Sequence, residues 1–309
     1  MRLVCAAALL ICLAVAAISC EKPPQSDRSP VVRPLPEGSV GVDRLTLPNK
    51  ATSVKFAVIG DSGRGTPPQF EIAARMAAYL ERFHFPFVIM LGDNIYEGPA
   101  TPEDYRRKFE EPYRALLDKR IKFYAVLGNH DVREGRQDQR DYPLFNMTGQ
   151  YYYSLKKGDG LVEFFLLDSN DLGAEQLAWL ENALRASTAK WKIATFHHPL
   201  YSSGKRHGSS DSRRRLLEPL FTKYGVNVVF SAHDHMYERT KPQQGIQYFV
   251  TGAGGKTRRG TVDLKSEIRA ASYDEDNHFM LVEVDDKQVS FQAIGETGAI
   301  IDSGSIKQP

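Results

Sequence analysis

The chain has 309 residues, 42% hydrophobic and 25% charged, the composition of an ordinary folded protein with room for one large domain or two small ones. Its three cysteines, Cys5, Cys12 and Cys20, all lie near the N-terminus, which excludes a disulfide framework or a thiolate metal site beyond them; any metal must be held by oxygen and imidazole. The formal charge of +2 lacks the basic excess of a nucleic-acid binder, so no nucleic-acid partner is expected.

Residues 3–18 form an unbroken apolar run behind Arg2. The run is shorter than the roughly 20 residues of a membrane-spanning helix and fits a secretory signal core. Its approach to Cys20 through Ala16, Ala17, Ile18 and Ser19 resembles a bacterial lipoprotein signal. That resemblance implies removal of residues 1–19, export to the periplasm or the outer membrane, and membrane attachment only through a lipid on Cys20. Residues 20–50 hold six of the 17 prolines among polar neighbours and are expected to be an extended tether. The folded domain is then expected over 51–309.

Within it, 54–59 reads as a buried strand ending at Gly60. Ala73, Met76, Ala77 and Leu80 recur at helical spacing and predict a helix over 69–83. A second strand is expected over 87–91, a helix over 101–117 behind a Thr-Pro-Glu-Asp entry, and a third strand over 123–127. This βαβαβ order implies parallel strands joined by right-handed crossovers. A strand pair is expected over 151–155 and 161–167, then a helix over 174–186, a strand over 191–196, a helix over 212–224 and a strand over 226–230. Beyond that the helical patterns stop, and 247–251, 278–284, 288–293 and 299–305 read as strands.

Polar groups follow five of these strands. They are Gly60-Asp61-Ser62-Gly63, Gly92-Asp93-Asn94-Ile95-Tyr96, Gly128-Asn129-His130-Asp131, Phe196-His197-His198-Pro199 and Ala232-His233-Asp234-His235. Asp61, Asp93 and Asn129 succeed one another at intervals of about one βαβ unit, which presents them at the carboxyl edge of a parallel sheet, where ligands bind. Oxygen donors with imidazoles favour Fe, Mn or Zn. The set is too large for one ion, and a carboxylate shared by two ions about 3.5–4 Å apart is the usual arrangement for phosphoester hydrolysis.

The five blocks, in this order, resemble those of the metallophosphoesterases, and within them the purple acid phosphatases. The resemblance covers roughly 54–255 and extends to Gln176-Leu177-Ala178-Trp179-Leu180 and Thr251-Gly252-Ala253-Gly254. It implies a four-layer α/β/β/α sandwich with mostly antiparallel C-terminal strands, filling 51–309 as one catalytic domain. Tyr96 carries the subfamily likeness, because in purple acid phosphatases the tyrosine three residues after the bridging aspartate binds ferric iron. By resemblance, Asp61, Asp93, Tyr96 and His235 hold Fe(3+), while Asp93, Asn129, His197 and His233 hold Fe(2+), Zn(2+) or Mn(2+). Asp93 bridges the two ions. His130 and His207 are implied as catalytic, stabilising the transferring phosphoryl group and protonating the leaving alkoxide. The implied activity is acid phosphomonoester hydrolysis of a small molecule, with a metal-activated hydroxide attacking phosphorus in line.

A Mn/Zn phosphodiesterase or nucleotide hydrolase is the nearest alternative, and Tyr96 weighs against it. A non-catalytic surface lipoprotein is the more distant one, and the complete donor set weighs against that. Ala232 stands where the family usually has glycine, which would strain the turn if φ is positive there. His198 competes with His197 as a ligand, although the His-x-Pro register favours His197. Asp131 and Asp168 are expected either to orient imidazoles or to serve in turns. His84 and His278 read as structural, and Arg213-Arg214-Arg215 as a solvated helix face. Residues 133–153 lack periodicity, and 134–146 are expected to be a specificity loop at the rim of the site.

Overall fold

The computed structural model describes residues 44–308. The signal and most of the tether therefore lie outside the described residues. Among the described residues no helix is long and apolar enough to cross a membrane.

The chain runs β1 (Val54–Ile59), α1 (Pro67–Leu80), β2 (Phe87–Met90), α2 (Pro102–Tyr105), a π-turn (Arg106–Glu110), α3 (Arg114–Leu117) and β3 (Lys122–Ala125). It continues through α4 (Asp131–Glu134), α5 (Arg136–Asp141) and a 3-10 turn (Pro143–Phe145) to β4 (Tyr153–Lys157) and β5 (Val162–Leu166). Next come α6 (Ala174–Ala186), β6 (Trp191–Thr195), α7 (Asp211–Tyr224), β7 (Val228–Ser231), β8 (Tyr237–Thr240) and β9 (Gln247–Thr251). β10 (Arg269–Tyr273), β11 (His278–Val284), β12 (Gln288–Gly295) and β13 (Ile300–Lys307) close the domain.

These strands form two sheets, ordered β13-β12-β11-β1-β2-β3 and β10-β8-β9-β7-β6-β5-β4. β1, β2 and β3 are parallel, as are β5, β6, β7 and β9, whereas β11, β12 and β13 add in antiparallel fashion. The two-residue period of the strands sorts their side chains into layers. Phe56, Val58, Phe87 and Ile89 face the second sheet and meet Phe164, Leu166, Ile193 and Phe230. Phe56 anchors this layer, 5.4 Å from Phe87 and edge-on to Phe164 at 5.0 Å. Ala57, Ile59, Val88 and Met90 turn the other way, onto Ile72, Met76 and Tyr79 of α1. Across the molecule, Phe165, Ala194 and Val229 pack on Leu180 and Leu184 of α6 and on Leu217 and Phe221 of α7. The result is the expected four-layer α/β/β/α sandwich. Each such side chain contributes about 1.5–3 kcal/mol by leaving water.

The structure differs from expectation in four places. The helix over 101–117 is broken: after a Thr101–Asp104 capping box it widens into the π-turn, with Glu111 N–H donating to Arg106 O at 2.8 Å. Pro112 is the cause, since it has no N–H and its ring opposes a continuing helical turn. Within the stretch 133–153, Arg133 lines a cavity with His130 and His207, but the stretch as a whole is built as α4, α5 and a 3-10 turn rather than as a rim loop. Phe145 and Met147 are fully buried and Tyr142 stacks on Tyr105 at 3.9 Å, so apolar packing holds it. β8 and β10 were not expected, because Tyr-Glu-Arg-Thr and Arg-Ala-Ala-Ser-Tyr lack clear alternation. Finally, residues 44–50 are already fastened to the domain. Leu47 is buried, Thr46 N–H donates to Gln292 at 2.8 Å, and the amides of Asn49 and Lys50 donate to Glu283 at 2.6 Å.

Candidate metal centre

All five polar blocks lie at carboxyl ends of parallel strands, three on the first sheet and two on the second. Asp61 follows β1, Asp93 and Tyr96 follow β2, and Asn129 and His130 follow β3. His197 follows β6, and His233 and His235 follow β7. The two sheet edges are tied together here: His197 Nδ1 donates to Leu91 O at 2.9 Å and His233 N–H to Asp61 Oδ2 at 2.8 Å. Glycines permit the close approach. A Cβ on Gly128 would lie 2.1 Å from Asp93 Oδ1.

The donor atoms converge in two groups. In one, the Tyr96 hydroxyl is 2.8 Å from Asp61 Oδ1 and 3.2 Å from His235 Nε2, and that nitrogen is 3.4 Å from Asp61 Oδ1. In the other, His197 Nε2 is 3.1 Å from both Asn129 Oδ1 and His233 Nδ1. Asp93 belongs to both surroundings. Its Oδ1 is 3.6 Å from His197 Nε2, and ligand atoms of Asp61, Asp93 and His197 lie within 4.8 Å of one another. Because His197 Nδ1 is committed to Leu91, its Nε2 presents a lone pair to other acceptors. Three acceptors facing each other at this range repel unless a cation or proton stands between them.

The titration behaviour has the same cause. Burial pushes the Asp61 carboxyl up, but His197, His235 and His233 outweigh it and hold it well below the ordinary range. Asp93 is pushed up by burial and by Asp61. Burial, then Asp61 and Asp93, raise the Tyr96 phenol well above its usual value. Burial opposes charge on His197, yet Asp93 and Asp61 overcome it and leave that imidazole raised. His233 and His198 are pushed far down by burial and then by His197. Clustered carboxylates, bare imidazole nitrogens and a phenol that ionises only beside strong positive charge fit bound metal cations.

His130 and His207 stand over this set. The His130 amide donates to Asp93 Oδ1 at 2.9 Å and its ring lies 4.6 Å from Tyr96. The His207 ring lies 4.0 Å from His233. Both line a cavity of about 330 Å³. Burial lowers both imidazoles. His198 is nearer than the His-x-Pro register suggests: His197, His198 and His233 form a second close cluster, and His198 Nδ1 is 2.9 Å from Ser169 Oγ.

Asp131 and Asp168 serve in turns. Asp131 accepts from the amides of Asn94, Ile95 and Gly128, locking the β2 and β3 loops together. Asp168 accepts from Asn170 N–H at 2.9 Å and pairs with Arg136 at 2.8 Å. His84 is exposed, and His278 is fully buried with its ring 5.6 Å from Tyr237. Arg213 donates to Ser169 O and Arg214 pairs with Asp211. Ala232 is not left-handed; of the donor residues, Asp61, Asp93 and His233 are, at φ 54°, 52° and 69°. The Ala232 methyl fills space that Gly60 leaves open, since a Cβ on Gly60 would lie 2.5 Å from it.

Two supporting residues escaped the sequence reading. Lys108, on the π-turn, donates to Tyr96 O at 2.5 Å and Glu97 O at 2.9 Å, and pairs with Asp104 at 2.7 Å. Asp234, between two histidines of the last block, accepts from Ser202 Oγ at 2.6 Å and Gly208 N–H at 3.1 Å, pinning the loop that carries His207. No local pattern marks a lysine on a π-turn. The His-x-His spacing does not say which loop faces the middle residue.

Residues 54–237, which include every donor above, match the calcineurin-like phosphoesterase family. The chain belongs to that family. It is a hydrolase of phosphoric esters, and membership implies that it binds divalent metal. This phosphoesterase is 30% identical over 255 residues to purple acid phosphatase 17 of Arabidopsis thaliana, covering 72% of this chain and 75% of that one. It is 24% identical to rat tartrate-resistant acid phosphatase type 5, over 80% and 88% of the two chains. In fold it resembles GAP50, described as the anchor in the inner membrane complex of Plasmodium (TM-score 0.73, 20% identity, 83% and 89% covered). It also resembles a purple acid phosphatase from yellow lupin seeds (TM-score 0.66, 18% identity, 85% and 55% covered).

Proposed function

We propose that this phosphoesterase is an acid phosphomonoesterase of the purple type, acting on a small-molecule ester with two metal ions. The supporting observation is the pair of donor groups around Asp93, one of them containing the Tyr96 phenol. Asp61, Asp93, Tyr96 and His235 would hold Fe(3+). Asp93, Asn129, His197 and His233 would hold Fe(2+), Zn(2+) or Mn(2+). When bound, the ions neutralise phosphate charge and lower the pKa of a water. The chain's own residues do the rest. Asp61 and Asp93 set the net charge of the floor. His130 and His207 face the cavity and supply hydrogen bonds to the phosphoryl oxygens, and one of them passes a proton to the leaving alkoxide. A hydroxide, formed when that water gives up its proton to solvent, would attack phosphorus opposite the leaving oxygen as the P–O bond breaks, so configuration at phosphorus would invert.

Metal analysis and a visible spectrum of the purified protein, followed by a phosphoester panel, test this reading. A purple charge-transfer band with monoesterase turnover supports it. A colourless active enzyme containing only Mn or Zn, or retention at phosphorus, refutes it.

The same proposal includes export and lipidation, supported by Arg2, the apolar run 3–18 and the small residues before Cys20. Signal 1–19 and a tether from Cys20 are the corresponding division, with the catalytic domain beginning by residue 44 rather than 51, because residues 44–50 are fastened to it. Intact mass and membrane fractionation of Cys20→Ala decide it; unchanged processing and unchanged membrane association would refute it.

A further inference from the structure

Beyond the donor groups, the cavity wall is cationic. Arg64, Arg206, Lys256 and Arg258 line it, and Arg133 stands beside His130. Glu97 is the acidic residue of the rim, and it is paired with Arg64 at 3.1 Å. Among the described residues, Arg206, Lys256 and Arg258 form no ion pair with a carboxylate. Lys256 is held below the usual lysine range first by Arg64, then by burial, Arg258 and Arg206, so these cations act on one another. The chain as a whole is nearly neutral at +2, which makes this concentration local.

The cations are held by backbone rather than left on free loops. After β9 the run Gly252-Ala253-Gly254-Gly255 lies against the Asp61 turn; a Cβ on Gly255 would sit 2.5 Å from Ser62 O. Arg258 N–H then donates to His235 O at 3.0 Å, next to the donor groups. The loop carrying Arg206 is clipped to this one by Lys205 N–H to Thr261 O and Asp263 N–H to Ser203 O, each 2.8 Å. Asp234 fixes the same loop from behind. Mutually repelling cations held this way are stabilised by a ligand of opposite charge. A single phosphate on the metal donors, met by His130 and His207, leaves them uncompensated. Guanidinium forks suit the oxygens of a second phosphate.

We propose that Arg206, Lys256 and Arg258 form a subsite for a second phosphoryl group, so that the preferred substrate carries two: one cleaved over the donor groups, one held by this wall. The subsite rests on the phosphoester hydrolase reading of the same cavity. Its test compares kcat/KM for adenosine 5′-monophosphate, adenosine 5′-diphosphate and adenosine 3′,5′-bisphosphate, with the metal-loaded wild type, Lys256→Ala and Lys256→Ala/Arg258→Ala. The wild type should favour a doubly phosphorylated substrate by about tenfold or more, and the double variant should lose most of that ratio. Preference for the diphosphate marks adjacent phosphates, and preference for the bisphosphate marks separated ones. Absence of preference, or a parallel fall on all three substrates, overturns the subsite; a parallel fall is what a general anion funnel would give.

Binding separates this failure from failure of the hydrolase reading. If the wild type cleaves none of the three, that reading fails, and methylenediphosphonate against methylphosphonate in a calorimeter decides the subsite alone. Tighter diphosphonate binding that depends on Lys256 and Arg258 upholds it, and equal binding rejects it. Thermal midpoints show that each variant is folded, and the exposed Lys256→Ala gives the same comparison with the least perturbation.

Discussion

Replacing Lys108 with methionine tests how the Tyr96 loop is held. Lys108 is 3% exposed, and its ammonium serves Tyr96 O, Glu97 O and the Asp104 carboxylate. Methionine preserves the apolar stem but supplies no donor. Breaking a buried ion pair by removing one partner costs about 3–5 kcal/mol. Asp104 keeps the Thr101 hydroxyl as a partner at 2.6 Å and is 15% exposed on its side chain, which favours the lower end of that range. Two carbonyls lose a charged donor at about 1 kcal/mol or more each, partly offset by water reaching the exposed Glu97 side. The net expectation is a loss of about 3–4 kcal/mol. For a domain of this size that is a fall in melting temperature of roughly 6–15 °C. Differential scanning fluorimetry and urea unfolding at pH 7 measure it. A midpoint within about 2 °C of wild type would show that the ammonium does not hold this loop, and the reasoning would be wrong.

Asn129→Ala should leave the fold intact but lower turnover of an aryl phosphate by more than about 100-fold, beyond the effect usual for a residue outside the ligand set; a smaller loss counts against Asn129 as a ligand. Phe145→Ala should cost about 3–5 kcal/mol in urea unfolding, because this ring is buried among Phe109, Tyr105 and Tyr142, whereas a rim loop would tolerate the change. Asp276 is raised to about 7 by burial and by the neighbouring Glu296 carboxyl. Its folded pKa exceeds the unfolded value, so its favourable contribution is complete below about pH 4 and is lost as pH rises toward 7. Asp276→Asn should therefore gain stability relative to wild type between pH 4 and pH 7.5; a gap that stays constant across that range refutes the assignment.

The strands and their order were legible because apolar runs such as Val54–Ile59 are short and end at glycine. The polar residues after them were legible because carboxyl-edge placement follows from the βαβ order. What could not be read was non-local. Residues 133–153 look like a loop in isolation because Phe145 and Met147 find their partners on α2, the π-turn and β3, far back in sequence. Pro112 was visible, but its effect, a widened turn aiming Lys108 at Tyr96, depends on what lies beneath. The suspected strain at position 232 sits one residue later, at His233, since the turn's hand is set by its contact with Asp61: His233 N–H donates to Asp61 Oδ2 at 2.8 Å.

That left-handed geometry bears on any attempt to engineer this protein. Asp61, Asp93 and His233 each hold a conformation that L-residues adopt at a cost of about 1 kcal/mol and that glycine adopts freely. A selection that rewards thermal survival alone, in metal-free medium, has the same backbone incentive toward glycine at these three positions as at other left-handed residues such as Arg120 and Thr148. Glycine there would remove three of the converging donor side chains while relaxing the backbone. Libraries intended to harden this enzyme should hold those codons fixed and place their diversity on the outer helices.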